Sequence, residues 1–268
     1  MGVRLGDEMI TFESADWVEK RIDQPEFMLL DPRSSMQYLR GHIKGAISLP
    51  VKKLFDTDGK LLGIKELEQL LGSVGLDNHR VPVLYDRYDG QSASILSWVM
   101  EYVGCGDIRI MDSFFERWAS GRRDIFYRPV LPVAGIFVAN INAQIRIFMG
   151  DIVSDARSKL IDFRSYEEFA GNPELDSKPG HIPGAQNIEW NKLAGIDGQF
   201  LVSDEELLNI FNEVSLDKED DIIAYCRSGI RASLGFIALN KLGYKVRLYD
   251  GSFSEWSAND QPIEAITE

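Results

Sequence analysis

The hexapeptide GHIPGA at residues 180–185 repeats the earlier GHIKGA at residues 41–46 almost unchanged. Three more pairs of stretches recur in the same order along the chain: LDPRS at 30–34 with IDFRS at 161–165, VLYD at 83–86 with IAYC at 223–226, and MDSFFERW at 111–118 with YDGSFSEW at 249–256. The members of each pair lie roughly 130 to 140 residues apart, a period that indicates duplication of a whole domain rather than of a short solenoid unit. The chain therefore predicts two similar domains.

The boundary between the two halves is predicted near residue 132. Arginines and prolines that are typical of a linker concentrate just before it: Arg122, Arg123, Pro129 and Pro132. We therefore assign residues 1–132 to the first domain and residues 133–268 to the second. A length of 268 residues is suited to two domains of ordinary size.

Within each half, short apolar runs alternate with helical patterns. The runs predicted as strands are 27–30, 81–85, 109–111, 160–161, 222–225 and 246–249. Apolar residues three and four apart predict helices at 64–71, 94–102, 204–211 and 232–242. Strands that are apolar on both faces are typical of buried parallel sheets. The sequence thus predicts an α/β fold in which each domain is a small doubly wound parallel sheet with helices on both faces.

Composition and charge exclude several classes of function. A net charge of −13 disfavours nucleic acid as a partner, because few counterions would be released from a phosphate backbone. Residues 130–149 are the most apolar stretch but are too polar to cross a membrane, since they contain Pro132, Asn140, Asn142, Gln144 and Arg146. Two cysteines, of which Cys105 is expected to be structural, are too few for a disulfide framework or a thiolate metal site. The N-terminus carries Asp7 and Glu8 and lacks the apolar core of a secretory signal, so we expect a cytoplasmic protein.

The duplication separates features of the fold from features of one half. An Asp-x-Arg motif ends a strand in both halves, at residues 31–33 and 162–164, which favours an ion pair at the strand end. A role as a substrate clamp stays open for Arg164. His42 and His181 share the same glycine-rich turn and are therefore expected to stabilise it.

The chief difference between the halves follows the central strand. The second half reads YCRSGIRAS at 225–233, which places Cys226 at the strand end, then a glycine-containing loop, then a helix, whereas the first half has Asp86 at that position. Ligands bind beyond the carboxyl ends of such strands. Backbone N–H groups, the positive end of the helix dipole and the nearby Arg227 and Arg231 favour a thiolate over a thiol. We therefore predict that Cys226 is a nucleophile; an inert buried cysteine is the alternative.

Together these motifs resemble the two-domain rhodanese, or sulfurtransferase, family over nearly the whole chain. The resemblance is carried, in order, by DFRS at 162–165, GNPE at 171–174, GHIPGA at 180–185 with Asn187, and YDGSFSEW at 249–256. It implies an inactive first domain, a catalytic second domain and a persulfide on Cys226 whose terminal sulfur is held by backbone N–H groups. The donor-binding residues that we predict are Arg227, Ser228, Gly229, Ile230, Arg231 and Arg164. No metal or organic cofactor is required by this chemistry.

The resemblance implies thiosulfate or 3-mercaptopyruvate as the donor, and a thiol, cyanide or a thioredoxin-like protein as the acceptor. In CRSGIR at 226–231, Arg227 agrees with the thiosulfate type, Ser228 agrees with the mercaptopyruvate type, and Arg231 replaces the threonine of both. Two arginines favour a small dianion, so thiosulfate is slightly preferred. Glu168 weakens this preference, because it stands where a substrate arginine is often found in this family, and it leaves a different donor or a protein partner open.

Two other classes of protein stay open. Cysteine phosphatases also place a thiolate in an anion-binding loop, but their Cys-x5-Arg pattern requires arginine at position 232. This chain has Ala232 there and its arginine one residue earlier, at Arg231, so the loop is expected to be too tight for a phosphoryl group. A non-catalytic, regulatory binding module is the other class, and Cys226 argues against it.

The second half carries an insertion that the first half lacks. Nine positions separate Arg33 from His42, but seventeen separate Arg164 from His181, so the extra residues fall around 171–179. Two placements are open for them, a lip over the site or a brace between the domains. We expect the brace.

Overall fold

The computed structural model describes residues 10–154 and 157–266. In the first half the helices and strands are β1 (Ile10–Glu13), α1 (Ala15–Glu19), β2 (Phe27–Asp31), α2 (Ser35–Leu39), β3 (Ile47–Ser48), α3 (Ile64–Ser73), β4 (Val81–Leu84), α4 (Gln91–Tyr102), β5 (Ile108–Met111) and α5 (Phe115–Ser120). In the second half they are α6 (Met149–Ser154), β6 (Lys159–Asp162), α7 (Tyr166–Ala170), β7 (Gln186–Asn187), α8 (Asp204–Glu213), β8 (Asp221–Tyr225), α9 (Ile230–Lys241), β9 (Lys245–Leu248) and α10 (Ser252–Ala258). Within the described ranges, every helix is too short or too polar to span a bilayer.

The strands form two parallel sheets, one in each half. The first sheet has the order β1-β5-β4-β2-β3 and the second has the order β7-β6-β8-β9. Every pairing between these strands is parallel. The predicted α/β fold with two similar parallel sheets is therefore confirmed.

The predicted strands and helices are found close to their expected positions, and β1 is the main addition. β1 lies at the edge of the first sheet and pairs with β5. Its four residues, ITFE, are mostly half-buried, so they lack the apolar run that identifies the inner strands. The two-residue strands β3 and β7 are likewise too short to leave a periodic signal.

The helices that follow the central strands pack against each other between the two sheets. In α4, every residue from Ala93 to Tyr102 is buried, and in α9 every residue from Ala232 to Leu239 is buried. A helix that is apolar all round is stable only inside a protein. The contact of α4 with α9 supplies that environment, and it joins the cores of the two halves into one continuous cluster of apolar side chains.

The segment that joins the halves is bound to both of them. Gly135 donates its N–H to the Gly72 carbonyl oxygen at 2.8 Å, and Asn140 donates to the Val103 carbonyl oxygen at 2.9 Å, so residues 133–142 lie along the first half. Further on, the Ile147 N–H donates to the Leu248 carbonyl oxygen of β9 at 3.1 Å. The division at residue 132 stays a prediction, since the connecting segment contacts both domains.

Candidate active site

Cys226 lies directly after β8 and before α9, at the predicted edge of the second sheet. Its side chain is buried, with 1% of the residue surface exposed. The loop turns at Gly229, whose φ of 82° favours glycine. A β-carbon at Gly229 would also lie 3.0 Å from the Asp250 carbonyl oxygen. The loop therefore fits closely against the segment that follows β9, and α9 begins at Ile230 with its N-terminus beside the cysteine.

Ser252 fixes this loop from behind. Its Oγ accepts the backbone N–H groups of Cys226 at 3.2 Å and of Gly229 at 3.0 Å, and donates to the Tyr249 carbonyl oxygen at 2.8 Å. The next residue, Phe253, donates its N–H to the Cys226 carbonyl oxygen at 3.0 Å. Ser252 is not among the site residues predicted from the sequence. The signal was present, since the corresponding position of the first half is Phe114 and the residue therefore differs between the repeats.

The equivalent loop of the first half binds the carboxyl group of Asp86. The Asp86 carboxylate accepts the N–H of Arg87 at 2.8 Å and the N–H of Ala93 at 2.7 Å. Burial raises the pKa of Asp86 to about 7, because desolvation outweighs these two hydrogen bonds. Gly90 precedes α4 with a left-handed backbone, as Gly229 precedes α9. In the first half, amides of the loop and of the helix that follows it thus donate to the residue that corresponds to Cys226.

Arg231 forms a two-point ion pair with Glu168 of α7. Its Nη1 donates to Glu168 Oε2 at 2.6 Å and its Nη2 donates to Glu168 Oε1 at 2.9 Å. Burial alone would raise the pKa of Glu168, but the hydrogen bonds and charge of Arg231 outweigh it and lower that pKa to about 2. Burial likewise opposes the charge of Arg231, while Glu168 and the electrostatic interaction with Cys226 raise the pKa of Arg231. Arg231 is thus close enough to Cys226 to stabilise an anion there, although its charge is shared with Glu168.

Arg227 pairs with the insertion at residues 171–179. Its Nη1 contacts Asp176 Oδ2 at 3.0 Å. The same insertion is tied to α10, because Lys178 Nζ donates to the Ser257 carbonyl oxygen at 2.7 Å and pairs with Asp260. These contacts lie within the second domain and beside the Cys226 loop. The contacts that the structure gives for this insertion therefore favour a lip beside the site over the interdomain brace that we expected.

Arg164 is placed in the ion pair predicted from the repeat. It is fully buried, and its Nε and Nη2 donate three hydrogen bonds to the Asp162 carboxylate. Its Nη2 also donates to the Gly180 carbonyl oxygen at 2.7 Å, and its guanidinium lies 4.0 Å from the centroid of the Phe253 ring. Arg33 makes the same contacts in the first half, with Asp31 and the Gly41 carbonyl oxygen. A direct role of Arg164 in donor binding stays a prediction. Its observed contacts fix the strand end beneath the Cys226 loop.

Of the other residues considered in the sequence, three are buried and Ser228 is exposed. His181 is buried, and its Nδ1 lies 2.7 Å from the Phe169 carbonyl oxygen. Cys105 is buried too, and desolvation raises the pKa of its thiol to about 12, which makes it a poor nucleophile. Ser228 is exposed at the tip of the loop, next to Arg227. Ala232, at the position where the phosphatase pattern requires an arginine, is fully buried in α9.

The geometry thus defines a class, a tandem α/β protein with one buried thiol at the carboxyl end of a central parallel strand. The family model described as rhodanese-like domain matches residues 14–121 and residues 149–259. The chain therefore belongs to the rhodanese-like family and contains two tandem copies of its domain.

Relatives and solved structures agree with this assignment. A protein of Mycolicibacterium smegmatis named "putative thiosulfate sulfurtransferase" is 32% identical over 273 residues, which cover 94% of this chain and 96% of the relative. The sulfur carrier protein TtuD of Thermus thermophilus is 31% identical to this chain, and the alignment covers 91% of this chain and 92% of TtuD. Among solved structures, EanB with ergothioneine superposes with a TM-score of 0.88 at 22% identity, over 97% of this chain and 71% of that chain. The last likeness concerns the fold alone.

Proposed function

We propose that the protein is a sulfurtransferase that moves a sulfane sulfur from a small anionic donor to a thiophilic acceptor through a persulfide on Cys226. The observation that carries this proposal is the position of Cys226 between β8 and the N-terminus of α9. In the equivalent loop of the first domain, two backbone amides bind the Asp86 carboxylate. A thiolate or a persulfide anion in the second domain would receive the same kind of support.

The proposed chemistry has two steps. The Cys226 thiolate attacks the outer sulfur of thiosulfate, a new S–S bond forms, and the donor's S–S bond breaks as sulfite leaves with its electron pair. The negative charge then lies on the terminal sulfur of the persulfide, where we propose that amides between Arg227 and Arg231, other than the Gly229 amide bound by Ser252, stabilise it. A thiol, cyanide or a thioredoxin-like protein attacks that sulfur and releases the Cys226 thiolate. The first domain, with Asp86 in place of the cysteine, is proposed to be inactive.

Thiosulfate is the donor that we favour over 3-mercaptopyruvate. The names of relatives at 32% identity, putative thiosulfate sulfurtransferases, support this choice. Arg227 supports it as well, since its side chain is partly exposed beside the thiol and is suited to a small dianion. The ion pair of Arg231 with Glu168 weakens the attraction of Arg231 for a donor dianion, because Glu168 already balances its charge.

Intact-mass measurement after incubation with thiosulfate tests the proposal. We expect one added sulfur atom in the wild-type protein and none in Cys226→Ser. The matched control is Cys105→Ser, which removes the other cysteine and should keep the adduct. If neither thiosulfate nor 3-mercaptopyruvate adds sulfur, the protein is better described as a binding module. Hydrolysis of an aryl phosphate that is lost in Cys226→Ser would instead indicate a phosphatase.

A further inference from the structure

We infer that Asp176 is a specificity-determining residue, whose carboxylate neutralises Arg227 and thereby weakens the binding of doubly charged donors beside Cys226. The inference rests on the proposed function and concerns its choice of donor. It assigns a role to the insertion at residues 171–179, which the first half of the chain does not possess.

The insertion is a closed loop fastened to its own domain. Its two ends meet, since a β-carbon at Gly171 would lie 3.4 Å from the Gly180 backbone nitrogen. Loops of this length with adjacent ends pack as compact units on protein surfaces. Lys178 anchors the loop to the carbonyl oxygen of Ser257 at 2.7 Å. The loop therefore holds Asp176 at a defined place beside the site.

The two partners of the ion pair differ in exposure. The Asp176 side chain is 11% exposed and that of Arg227 is 46% exposed. The backbone N–H of Lys178 donates to Asp176 Oδ1 at 3.4 Å, while Asp176 Oδ2 lies 3.0 Å from Arg227 Nη1. The carboxylate is thus the fixed partner and the guanidinium is the partner that solvent, or a donor, reaches.

The first half balances the corresponding arginine in a different way. Arg87 directly follows Asp86, as Arg227 follows Cys226, and it pairs with Asp89 at 2.8 Å within its own loop. The loop of the second half is one residue shorter and contains Ser228 and Gly229 instead of an acidic residue. The counter-ion of Arg227 therefore comes from a separate segment, 51 residues earlier in the chain. Both arginines are therefore paired, Arg87 with a carboxylate of its own loop and Arg227 with a carboxylate of the insertion.

This arrangement has a consequence for donor binding. A dianion that approaches Arg227 meets the Asp176 carboxylate at the same guanidinium and is repelled by it. A donor with one negative charge experiences a weaker repulsion. Asp176 thus lowers the affinity for thiosulfate more than the affinity for 3-mercaptopyruvate, and the same repulsion favours departure of sulfite after sulfur transfer.

The test is the Michaelis constant of Asp176→Asn for the two donors. Asparagine keeps the shape and the acceptor oxygen of the side chain but removes its charge. Because partly exposed ion pairs are worth at most about 1 kcal/mol, we expect the KM for thiosulfate to fall by up to about fivefold. The fall for 3-mercaptopyruvate should be smaller. An equal change for both donors, or no change, would overturn the inference.

Two matched variants separate charge from loop position. Asp260→Asn removes the ion pair of Lys178 but keeps Asp176 and Arg227, and it should leave both KM values near those of the wild type. In an Arg227→Gln background, Asp176→Asn should have no further effect, since the counter-ion then has no partner. If Asp176→Asn still lowers the KM for thiosulfate in that background, Asp176 does not act through Arg227.

Failure of the proposed function gives a different result. In that case the wild-type protein forms no persulfide with either donor, whatever residue stands at position 176. If the wild type forms the persulfide but Asp176→Asn behaves as the wild type does, only the role of Asp176 is refuted.

Discussion

Glu168 changes what Arg231 offers to an anion at Cys226. Two hydrogen bonds join the pair, and both side chains are largely buried, 21% and 13% exposed for Arg231 and Glu168. Glu168 also accepts the Ser165 N–H at the start of α7, so the carboxylate is fixed by its own helix. Because the charge of Arg231 is balanced, the anion proposed at Cys226 would depend chiefly on backbone amides and on the N-terminus of α9.

The Glu168 ion pair should make the stability of the protein depend on pH in the acidic range. The pKa of Glu168 is about 2 in the folded protein and lies near 4.5 for a free glutamate. The unfolded chain therefore binds more protons between these values, and the stability that the pair contributes is present above about pH 4.5 and is lost as pH falls toward 2. After allowance for solvent screening we expect a loss of about 1–2 kcal/mol.

Urea unfolding of the wild type and of Glu168→Gln at several pH values measures this effect. The difference in free energy of unfolding between the two proteins should shrink as pH falls from 6 to 3. A difference that stays constant over this range would show that the carboxylate does not titrate as described.

The proposed chemistry depends on the loop from β8 to α9, and the segment after β9 holds this loop in place. Ser252 accepts two amides of the loop, and the N–H groups of Phe253 and Ser254 donate to the carbonyl oxygens of Cys226 and Arg227. Ser252 itself has a φ of 55°, a strained value for any residue except glycine. The amides that Ser252 binds are those of Cys226 and Gly229, so the proposed support of the sulfur comes from the other amides of the loop.

Removal of the Ser252 hydroxyl should impair the formation of the persulfide. In Ser252→Ala two buried N–H groups lose their acceptor, which should cost about 1–3 kcal/mol of stability. Alanine experiences the same backbone strain as serine, so the variant isolates the hydroxyl. We expect kcat to fall more than KM rises, because the loop amides are no longer fixed around the sulfur.

Ser113→Ala is the matched control in the first domain. Ser113 is buried like Ser252, but its Oγ has no hydrogen-bond partner among residues 10–154 and 157–266. Stopped-flow measurement of sulfite release should therefore give wild-type rates for Ser113→Ala and reduced rates for Ser252→Ala. Equal rates in the two variants would mean that Ser252 does not position the loop.

At the scale of the whole molecule, the two halves share a large apolar core, and the charged residues are distributed unevenly between them. α4 and α9 join the two sheets, and Phe200 of the second half packs against Phe12 and Phe114 of the first, at centroid distances of 5.5 and 5.6 Å. Residues 1–132 contain 17 basic and 20 acidic side chains, whereas residues 133–268 contain 12 and 22. The proposed catalytic half thus carries most of the negative charge of the chain and repels an anionic donor at long range.

Moderate salt should therefore raise the rate with thiosulfate. At an ionic strength of about 0.1 M, charges more than about 10 Å from the donor are screened, while the close contacts at the loop are affected less. We expect kcat/KM for thiosulfate to increase between low and moderate ionic strength. A steady decrease from the lowest salt concentration would show that attraction by Arg227 and Arg231 dominates over the acidic background.

Much of the fold and part of the site could be predicted from local patterns. The inner strands are continuous apolar runs and the longer helices have apolar residues at helical spacing, so both are visible within a short window. Cys226 could be identified because the repeat supplies its own comparison, with Asp86 at the same point. β1 was missed because an edge strand of four half-buried residues has no such run.

The sequence by itself determined the duplication, the parallel sheets and the position of the cysteine, since each depends on residues that are near one another or repeated. Only the tertiary structure decided the partners around the cysteine. Glu168 lies 63 positions from Arg231 and Asp176 lies 51 positions from Arg227, so no local spacing connects them. The physical reason is that ion pairs form between side chains that folding brings within about 3 Å, and that distance is set by how the strands, helices and loops pack.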